Sequence, residues 1–247
     1  MKYFAKIKYL GTNFFGFQVQ PEKRTVQGEL TRTLSEYFGE EVKVTGCSRT
    51  DSGVHANEFC VTIEVNSATV PADKLPLATA RFLPEDISLI FAKECDDSFH
   101  PRYQAVGKEY LYRVHNSRIK DPFEVGRAWF FPRIISDEGL SKMKVAAEKI
   151  IGKKDFSSFM AVGSDVIDTV RLVDYLDIRR NGEVIEFRIH ADGFLYNMVR
   201  IIVGTLIEVG TGRFSASDVE KIIEAKDRTL AGMTAPPDGL YLNRVDY

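Results

Sequence analysis

The amino-acid sequence predicts an α+β protein made of two halves, each with the β-α-β-β-α-β order of the ferredoxin-like, or RRM-like, arrangement. Two observations support this fold class. Runs of alternating apolar and polar residues, which indicate half-buried strands, are interleaved with stretches whose apolar residues recur at helical spacing. The same order of elements then recurs in the second half without obvious sequence identity. We therefore expect two domains, residues 1–104 and 105–247, with a mostly antiparallel central sheet and a cleft.

The first half carries four predicted strands and two predicted helices. The strands are expected at residues 3–9, 42–45, 58–65 and 87–94, and the helices at residues 25–38 and 72–82. Thr25 suits the N-cap of the first helix, because its side-chain oxygen can accept a hydrogen bond from the first turn. Pro71 leads into the second helix, where a proline is well tolerated.

The second half contains strands and helices in a similar order. Strands are expected at residues 108–115, 170–179, 183–191 and 240–245, and helices at residues 137–151, 194–209 and 216–225. Asn181-Gly182 between two of these strands is a strong signal for a tight hairpin, since both residues accept positive φ. Ser136 is the predicted N-cap of the helix that follows it.

Composition indicates a globular protein. The chain has 247 residues, enough for one large domain or two of ordinary size, and 44% of them are hydrophobic. Its net charge of −2 neither indicates nor excludes a nucleic-acid partner, because such binding depends on a local basic patch. The N-terminus lacks the apolar core of a signal peptide, and the longest apolar stretch, residues 194–209, contains Asn197, Arg200 and Glu208. We therefore expect a cytoplasmic protein with no membrane span.

The sequence carries no pattern typical of a metal or cofactor site. The three cysteines, Cys47, Cys60 and Cys95, show no Cys-x-x-Cys spacing, and the four histidines form no His-Glu-x-x-His motif. The sequence also contains no P-loop and no Gly-x-Gly-x-x-Gly fingerprint. We therefore expect no metal, no cofactor and no disulfide framework.

Residues 46–56, with the sequence GCSRTDSGVHA, form the predicted loop between the second and third strands. This loop brings a cation, a carboxylate, hydroxyls and an imidazole together around Gly53, which is more than a plain hairpin requires. Loops on a rigid scaffold often carry chemistry. Asp51 is therefore a candidate catalytic residue.

The tripeptide Asp51-Ser52-Gly53 also fits two other interpretations. It is ordinary turn chemistry, since Asp bonds its own backbone and Gly takes positive φ. It also matches the Asp-[Ser/Thr]-Gly signature of aspartic proteases, whose chemistry needs two carboxylates. The chain has no second copy of that signature, because Asp168-Thr169 is followed by valine, but a dimer could supply the second acid.

A second group of candidates lies around the predicted strand that begins at Lys108. Lys108, Tyr110 and Tyr112 share one face of this strand, and His100 and Arg102 lie just upstream. Cations that bind phosphates, interleaved with rings that stack on bases, suit an RNA-binding surface. We expect His100, Arg102 and Lys108 to bind substrate in this way. The alternative is that the tyrosines belong to the core and keep only their hydroxyls near water.

Arg200 is a third candidate, because it interrupts a predicted helix that is apolar nearly all round. Such a helix is expected to be buried. A buried guanidinium needs a partner, since an unpaired buried charge is costly. Asp51 is one candidate partner, and pairing would keep its carboxylate ionised. The alternatives are that Arg200 reaches solvent or pairs with a structural acid such as Asp192.

Several motifs, taken in order, resemble those of the tRNA pseudouridine synthase A family. They are residues 11–21 (GTNFFGFQVQP), 24–28 (RTVQG), 49–56 (RTDSGVHA), 99–102 (FHPR), 108–110 (KEY), 194–205 (FLYNMVRIIVGT) and 231–236 (AGMTAP). Together they extend over nearly the whole chain. The sequence departs from the family pattern at Cys47-Ser48, where Ala-Gly or Ala-Ser is commoner, at Ser52, which replaces a frequent Ala, and at Phe17, which replaces a frequent Trp. None of these changes removes a reacting group.

The resemblance implies an enzyme that isomerises uridine to pseudouridine at positions 38, 39 and 40 of the tRNA anticodon stem-loop. It implies a homodimer whose clefts hold tRNA, and no cofactor. By the matched motifs, Asp51 resembles the catalytic aspartate and Tyr110 the tyrosine that stacks on the flipped base. Arg49 resembles an arginine that takes part in flipping, and Arg200 resembles the partner of the catalytic acid.

The competing class of function is a non-catalytic RNA-binding protein made of two RRM-like halves. Such a protein would use the strand of basic and aromatic residues but would not need Asp51. It would also leave the arginine in the apolar helix unexplained. The sequence therefore favours the synthase over both the RNA-binding module and the protease.

Overall fold

The computed structural model describes residues 1–67, 70–163 and 166–247. The chain divides into two compact units, which we call unit 1 (Met1–Val106 with Tyr241–Tyr247) and unit 2 (Gly107–Leu240). Each unit combines helices with an open, mostly antiparallel sheet, so the predicted α+β fold class is confirmed. The division into domains 1–104 and 105–247 stays a prediction.

The structure contains the following strands and helices, numbered along the chain. The strands are β1 (Lys2–Tyr9), β2 (Lys43–Gly46), β3 (His55–Glu64), β4 (Ile87–Glu94), β5 (Gly107–His115), β6 (Trp129–Phe130), β7 (Gly152–Asp155), β8 (Val170–Asn181), β9 (Val184–Ala191) and β10 (Leu240–Asp246). The α-helices are α1 (Val26–Phe38), α2 (Leu75–Thr79), α3 (Asp137–Glu148), α4 (Met198–Gly210) and α5 (Ala216–Ala225).

Residues 1–106 of unit 1 have the predicted element order. The sheet of unit 1 has the strand order β4-β1-β3-β10, with β2 also paired to β3, so β10, which was predicted to close the second half, pairs instead within unit 1. All these pairings are antiparallel except that of β10, which runs parallel to β3. The Thr25 side chain caps α1 by accepting a hydrogen bond from Gly28 N, as predicted. Gly39 ends this helix in the left-handed conformation at φ +68°. The buried side of α1 covers the sheet with Val26, Leu30, Leu34 and Phe38.

The second helix of unit 1 is shorter than predicted. The expected helix at residues 72–82 is a 3-10 turn, Ala72–Lys74, followed by the five residues of α2. Pro76 at the start of α2 has no N–H to bond back to the preceding turn, so a continuous α-helix cannot form there. Beyond Thr79 the backbone again makes tighter 3-10 hydrogen bonds, as from Phe82 N to Thr79 O.

Unit 2 has the strand order β5-β9-β8-β7, all antiparallel, with the short β6 parallel to β5. One face of this sheet pairs buried side chains across β5 and β9, with Tyr110 opposite Ile189 and Tyr112 opposite Phe187. The predicted hairpin between β8 and β9 is confirmed, and Gly182 takes φ +60° in its turn. The short strands β6 and β7, of two and four residues, were not predicted.

Helix α4 begins later than predicted. The expected helix at residues 194–209 starts only at Met198, because Asn197 has the left-handed conformation at φ 58° and interrupts the helix before it. From there its residues are buried nearly all round, as predicted. Within the described part of the chain, no helix has both the length and the apolar character that a membrane crossing needs.

Candidate active site

Asp51 lies in unit 1 on the loop between β2 and β3, where the sequence predicts it. Its carbonyl oxygen accepts a hydrogen bond from Val54 N at 3.2 Å, which closes a tight turn. Gly53 takes φ +80° inside this turn, a conformation that suits glycine. Asp51 is half-buried and Arg49 is exposed. The tripeptide thus does form a tight turn, as the turn interpretation expects, and Asp51 stays half-buried in it.

The N-terminal loop, residues 11–17, braces the Asp51 loop through its backbone. Phe17 N donates to Thr50 O, and Gly53 N donates to Phe14 O, each at 3.2 Å. The Ser52 hydroxyl also donates to Phe14 O at 3.2 Å. The backbone is therefore held both before and after Asp51.

Glycines allow this close approach of the two loops. A Cβ on Gly16 would lie 2.4 Å from Thr50 O, and a Cβ on Gly11 would lie 1.9 Å from Val54 O. Gly16 also has φ +83°, which L-residues rarely adopt. The glycines of the N-terminal motif therefore serve the Asp51 loop, although they are remote from it in sequence.

Two buried side chains with polar groups, those of Tyr9 and His55, support the Asp51 loop and the N-terminal loop. The hydroxyls of Tyr9 and Thr50 are 2.9 Å apart and share a hydrogen bond. His55 is fully buried, and its Nδ1 accepts a hydrogen bond from Gly11 N at 2.8 Å. An Nδ1 that accepts carries no proton, so this ring is neutral with its proton on Nε2. The His55 ring also packs against the Tyr241 ring, with centroids 4.5 Å apart. Sequence reasoning placed this imidazole in the loop but missed its supporting role.

His100 and Arg102 lie together on a surface turn of unit 1. His100 Nδ1 accepts from Arg102 N at 3.1 Å, and the His100 ring lies 4.3 Å from the ring of Tyr103. The Arg102 guanidinium is 5.8 Å from the same ring, and Tyr103 is 76% exposed. The structure therefore adds an exposed aromatic ring close to two predicted substrate-binding residues. Its signal in the sequence was its place directly after the Phe-His-Pro-Arg motif.

Tyr110 and Tyr112 lie on β5 of unit 2 in different surroundings. The Tyr110 ring meets the Phe194 ring edge to face, with centroids 5.0 Å apart. Tyr112 is fully buried and its hydroxyl donates to Pro236 O at 2.7 Å. Burial raises the pKa of Tyr112 well above its usual value, although the nearby positive charge of Arg200 opposes this rise. Tyr110 is also buried, at 8% exposure, so the interpretation that these tyrosines belong to the core holds for both rings.

Arg200 lies in the first turn of α4 and is only half-buried, although the helix around it is buried. Its Nε donates to Ala235 O and its Nη1 donates to Asn197 Oδ1, each at 2.7 Å. Asp192, the alternative partner, is exposed, and its carboxylate accepts a hydrogen bond from Leu172 N at 3.0 Å. The pairing of Arg200 with Asp51 stays a prediction.

Across residues 1–67, 70–163 and 166–247, no cluster of three or more His, Cys, Asp or Glu side chains is arranged to hold an ion. Cys47 and Cys60 are buried free thiols, and Cys95 is a half-buried free thiol. Burial raises the pKa of the Cys60 thiol to about 12, so it stays protonated at neutral pH.

Comparison with known proteins defines the class to which this fold and site belong. The family model described as tRNA pseudouridine synthase matches residues 5–104 and 146–247, which include Asp51 and Arg200. The class is thus that of the RNA uridine isomerases, as predicted.

Curated relatives match over the full length. "tRNA pseudouridine synthase A" of Thermoanaerobacter sp. (strain X514) is 44% identical over 241 residues, which cover 98% of this chain and 97% of the relative. The protein of the same name from Bacillus licheniformis is 44% identical over 250 residues (100% and 99%), and that from Listeria monocytogenes serotype 4a is 41% identical over 249 residues (100% and 99%). The chain belongs to the tRNA pseudouridine synthase family, as its motifs predict.

A solved structure, titled "Crystal Structure of a Cbf5-Nop10-Gar1 Complex", is a much more distant match. It aligns with 98% of this chain at 14% identity and a TM-score of 0.40, and this chain spans about half (49%) of that one. The family assignment rests on the family model and the curated relatives.

Proposed function

We propose that this protein converts uridine to pseudouridine at positions 38, 39 and 40 of the tRNA anticodon stem-loop, with Asp51 as its catalytic residue. The observation that carries this proposal is the brace on the Asp51 loop. Backbone hydrogen bonds hold the chain on both sides of Asp51 while the residue itself stays half-exposed. A carboxylate held in advance of the reaction loses little orientational freedom when it attacks.

The proposed reaction is an isomerisation and is balanced without a cofactor. The bond between N1 of the uracil and C1′ of the ribose breaks, the base turns, and a bond forms between C5 and C1′. The proton on C5 is released to water, and N1 gains a proton. Asp51 would act as the nucleophile that makes the breakage possible.

The reaction requires the target uridine to leave the base stack. Flipping costs a few kcal/mol, and stacking on an aromatic ring offsets part of that cost. We propose that Tyr110 provides this ring, since its edge-to-face contact with Phe194 restricts its orientation. Arg49, which is exposed on the Asp51 loop, would assist flipping. Arg200 would keep the Asp51 carboxylate ionised.

Binding of tRNA would use the basic residues predicted from the sequence. His100 and Arg102 lie close to the exposed ring of Tyr103, and this combination suits phosphates next to an unstacked base. Lys108 is half-buried at the start of β5, from which it would contact a phosphate. We further propose that the protein is a cytoplasmic homodimer, on the basis of the family resemblance.

The test compares wild type with Asp51→Ala on tRNA transcripts labelled with tritium at uridine C5. Wild type should release tritium and Asp51→Ala should release none, while both should bind tRNA, because phosphate contacts carry most of the affinity. Asp168→Ala is the matched control, since Asp168-Thr169 is a partial match to the Asp-[Ser/Thr]-Gly signature, Asp168 is exposed, and its carboxylate accepts a hydrogen bond from Val170 N. It should release tritium at the wild-type rate.

The same assay distinguishes the alternatives. If neither wild type nor Asp51→Ala releases tritium, although both still bind tRNA, the result would favour the non-catalytic RNA-binding module. Equal release by both would show that another residue is catalytic. Transcripts in which one of the uridines 38, 39 or 40 is replaced by cytidine would identify the modified positions.

A further inference from the structure

A segment after α5, residues 231–236, lies along α4 and is here called the strap. A Cβ on Gly204 would lie 1.9 Å from Met233 O, and a Cβ on Gly232 would lie 2.6 Å from the Cα of Thr205. The Thr205 hydroxyl also accepts a hydrogen bond from Gly232 N at 2.9 Å. The strap is therefore in direct backbone contact with α4.

The far end of the strap bonds Arg200 and Tyr112, which both belong to unit 2. Ala235 and Arg200 bond each other twice: Arg200 Nε donates to Ala235 O at 2.7 Å, and Ala235 N donates to Arg200 O at 3.1 Å. The next carbonyl, that of Pro236, accepts the Tyr112 hydroxyl at 2.7 Å. Two successive carbonyls thus connect the first turn of α4 to β5, where Tyr110 lies two residues before Tyr112.

The near end of the strap is held by Arg228, which precedes it. Arg228 Nη1 donates to Gly232 O and Nη2 donates to Thr234 Oγ1, each at 3.0 Å. Burial lowers the pKa of Arg228, and the negative charge of Glu208 opposes that change. Because a guanidinium is planar and rigid, its two hydrogen bonds of 3.0 Å fix the direction of the strap as well as its distance. Arg228 is half-buried, and its Nη1 also makes a longer hydrogen bond of 3.5 Å to Ala231 O, so the contacts of its guanidinium with the strap extend from Ala231 to Thr234.

We propose that Arg228 is a positioning residue that sets the orientation of the Arg200 guanidinium by holding the strap. Thr234, which Arg228 bonds, and Ala235, which Arg200 bonds, are consecutive residues. A shift of the strap at Thr234 therefore moves the acceptor of Arg200 Nε directly. This inference rests on the proposed function, in which Arg200 is the partner of Asp51.

The experiment uses Arg228→Gln and Arg228→Lys in the full chain. Arg213→Gln is the matched control, because Arg213 lies nearby, bonds Glu208 at 2.9 Å and has a side chain that is 68% exposed. Single-turnover tritium release should fall about 10- to 100-fold in Arg228→Gln, since a displacement of 1 Å at a catalytic group has effects of that size. Arg228→Lys should retain an intermediate rate, because an ammonium can keep one of the two bonds. Arg213→Gln should match wild type, and tRNA affinity should be the same in all four proteins.

A double-mutant cycle with Arg200→Lys separates positioning from a general loss of structure. If Arg228 acts through Arg200, Arg228→Gln should slow the reaction much less in the Arg200→Lys background than in wild type. Thr234→Val removes one acceptor of Arg228 with little change of shape and should reproduce part of the loss, even if Arg228→Gln folds poorly.

Two outcomes would overturn the inference while leaving the proposed function intact. One is a wild-type rate in both Arg228→Gln and Thr234→Val. The other is an equal loss in both backgrounds of the cycle. Failure of wild type to release tritium, or full activity of Asp51→Ala, would instead refute the proposed function and this inference with it.

Discussion

Replacement of Gly16 by alanine tests whether the N-terminal loop positions Asp51. The new Cβ would lie 2.4 Å from Thr50 O, whereas ordinary van der Waals contact begins at 3.4 Å. Thr50 O, which belongs to the residue directly before Asp51, must therefore retreat by about 1 Å if the contact is to become ordinary. That movement would also stretch the 3.2 Å hydrogen bond from Phe17 N to the same oxygen.

The substitution has two separable effects. Alanine at φ +83° loses about 1–2 kcal/mol of stability, because L-residues are strained in the left-handed region. The displacement of about 1 Å next to Asp51 should lower the rate of pseudouridine formation by up to about 100-fold. Gly39→Ala is the matched control, since Gly39 has φ +68° but no atom within 4 Å of the new Cβ. It should lose similar stability and keep its activity.

The assay combines thermal unfolding with single-turnover tritium release at a temperature where all variants are folded. Gly16→Ala and Gly39→Ala should show similar losses of stability, and only Gly16→Ala should be slow. Equal rates in the two variants would refute the conclusion that the N-terminal loop positions Asp51. Rescue of the Gly16→Ala rate by higher tRNA concentration would show instead that the loop affects binding.

Three further predictions concern binding, pH and stability. In filter-binding titrations, Arg102→Gln should weaken tRNA binding and reduce the slope of log affinity against log salt by about 1, as expected for one lost phosphate contact. The control is Arg179→Gln, at an exposed arginine paired with an aspartate, which should leave the slope unchanged. Burial raises the pKa of Cys60 from 9.0 to about 12, so between these pH values the folded state keeps a proton that the unfolded state loses. The free energy of unfolding should therefore decline as the pH rises from about 9 towards 12. Denaturant titrations of Cys60→Ala should show a shallower decline than those of wild type. Tyr112→Phe leaves Pro236 O without its donor and should cost about 1–3 kcal/mol in the free energy of unfolding, and no loss in thermal or denaturant unfolding would contradict the importance of that hydrogen bond.

Several elements were predictable from the sequence because their signals are local. Strand β4 and helix α5 have the predicted bounds, since alternation and helical spacing depend only on nearby residues. The turn at Gly182 follows from its preference for positive φ. Local signals were insufficient at α2, where a proline inside an apolar stretch shortened the helix, and at Asn197, whose left-handed backbone delayed the start of α4.

The sequence by itself determined the family, the loop that carries Asp51, and the motifs that surround it, because each of these is a property of residues close together in the chain. Only the tertiary structure decided how they are supported. The brace from Gly16 to Thr50, the buried bond from Gly11 to His55 and the strap that bonds Arg200 all join residues distant in sequence. Such contacts depend on how elements pack, and packing depends on the shapes of many side chains at once, which no local pattern encodes.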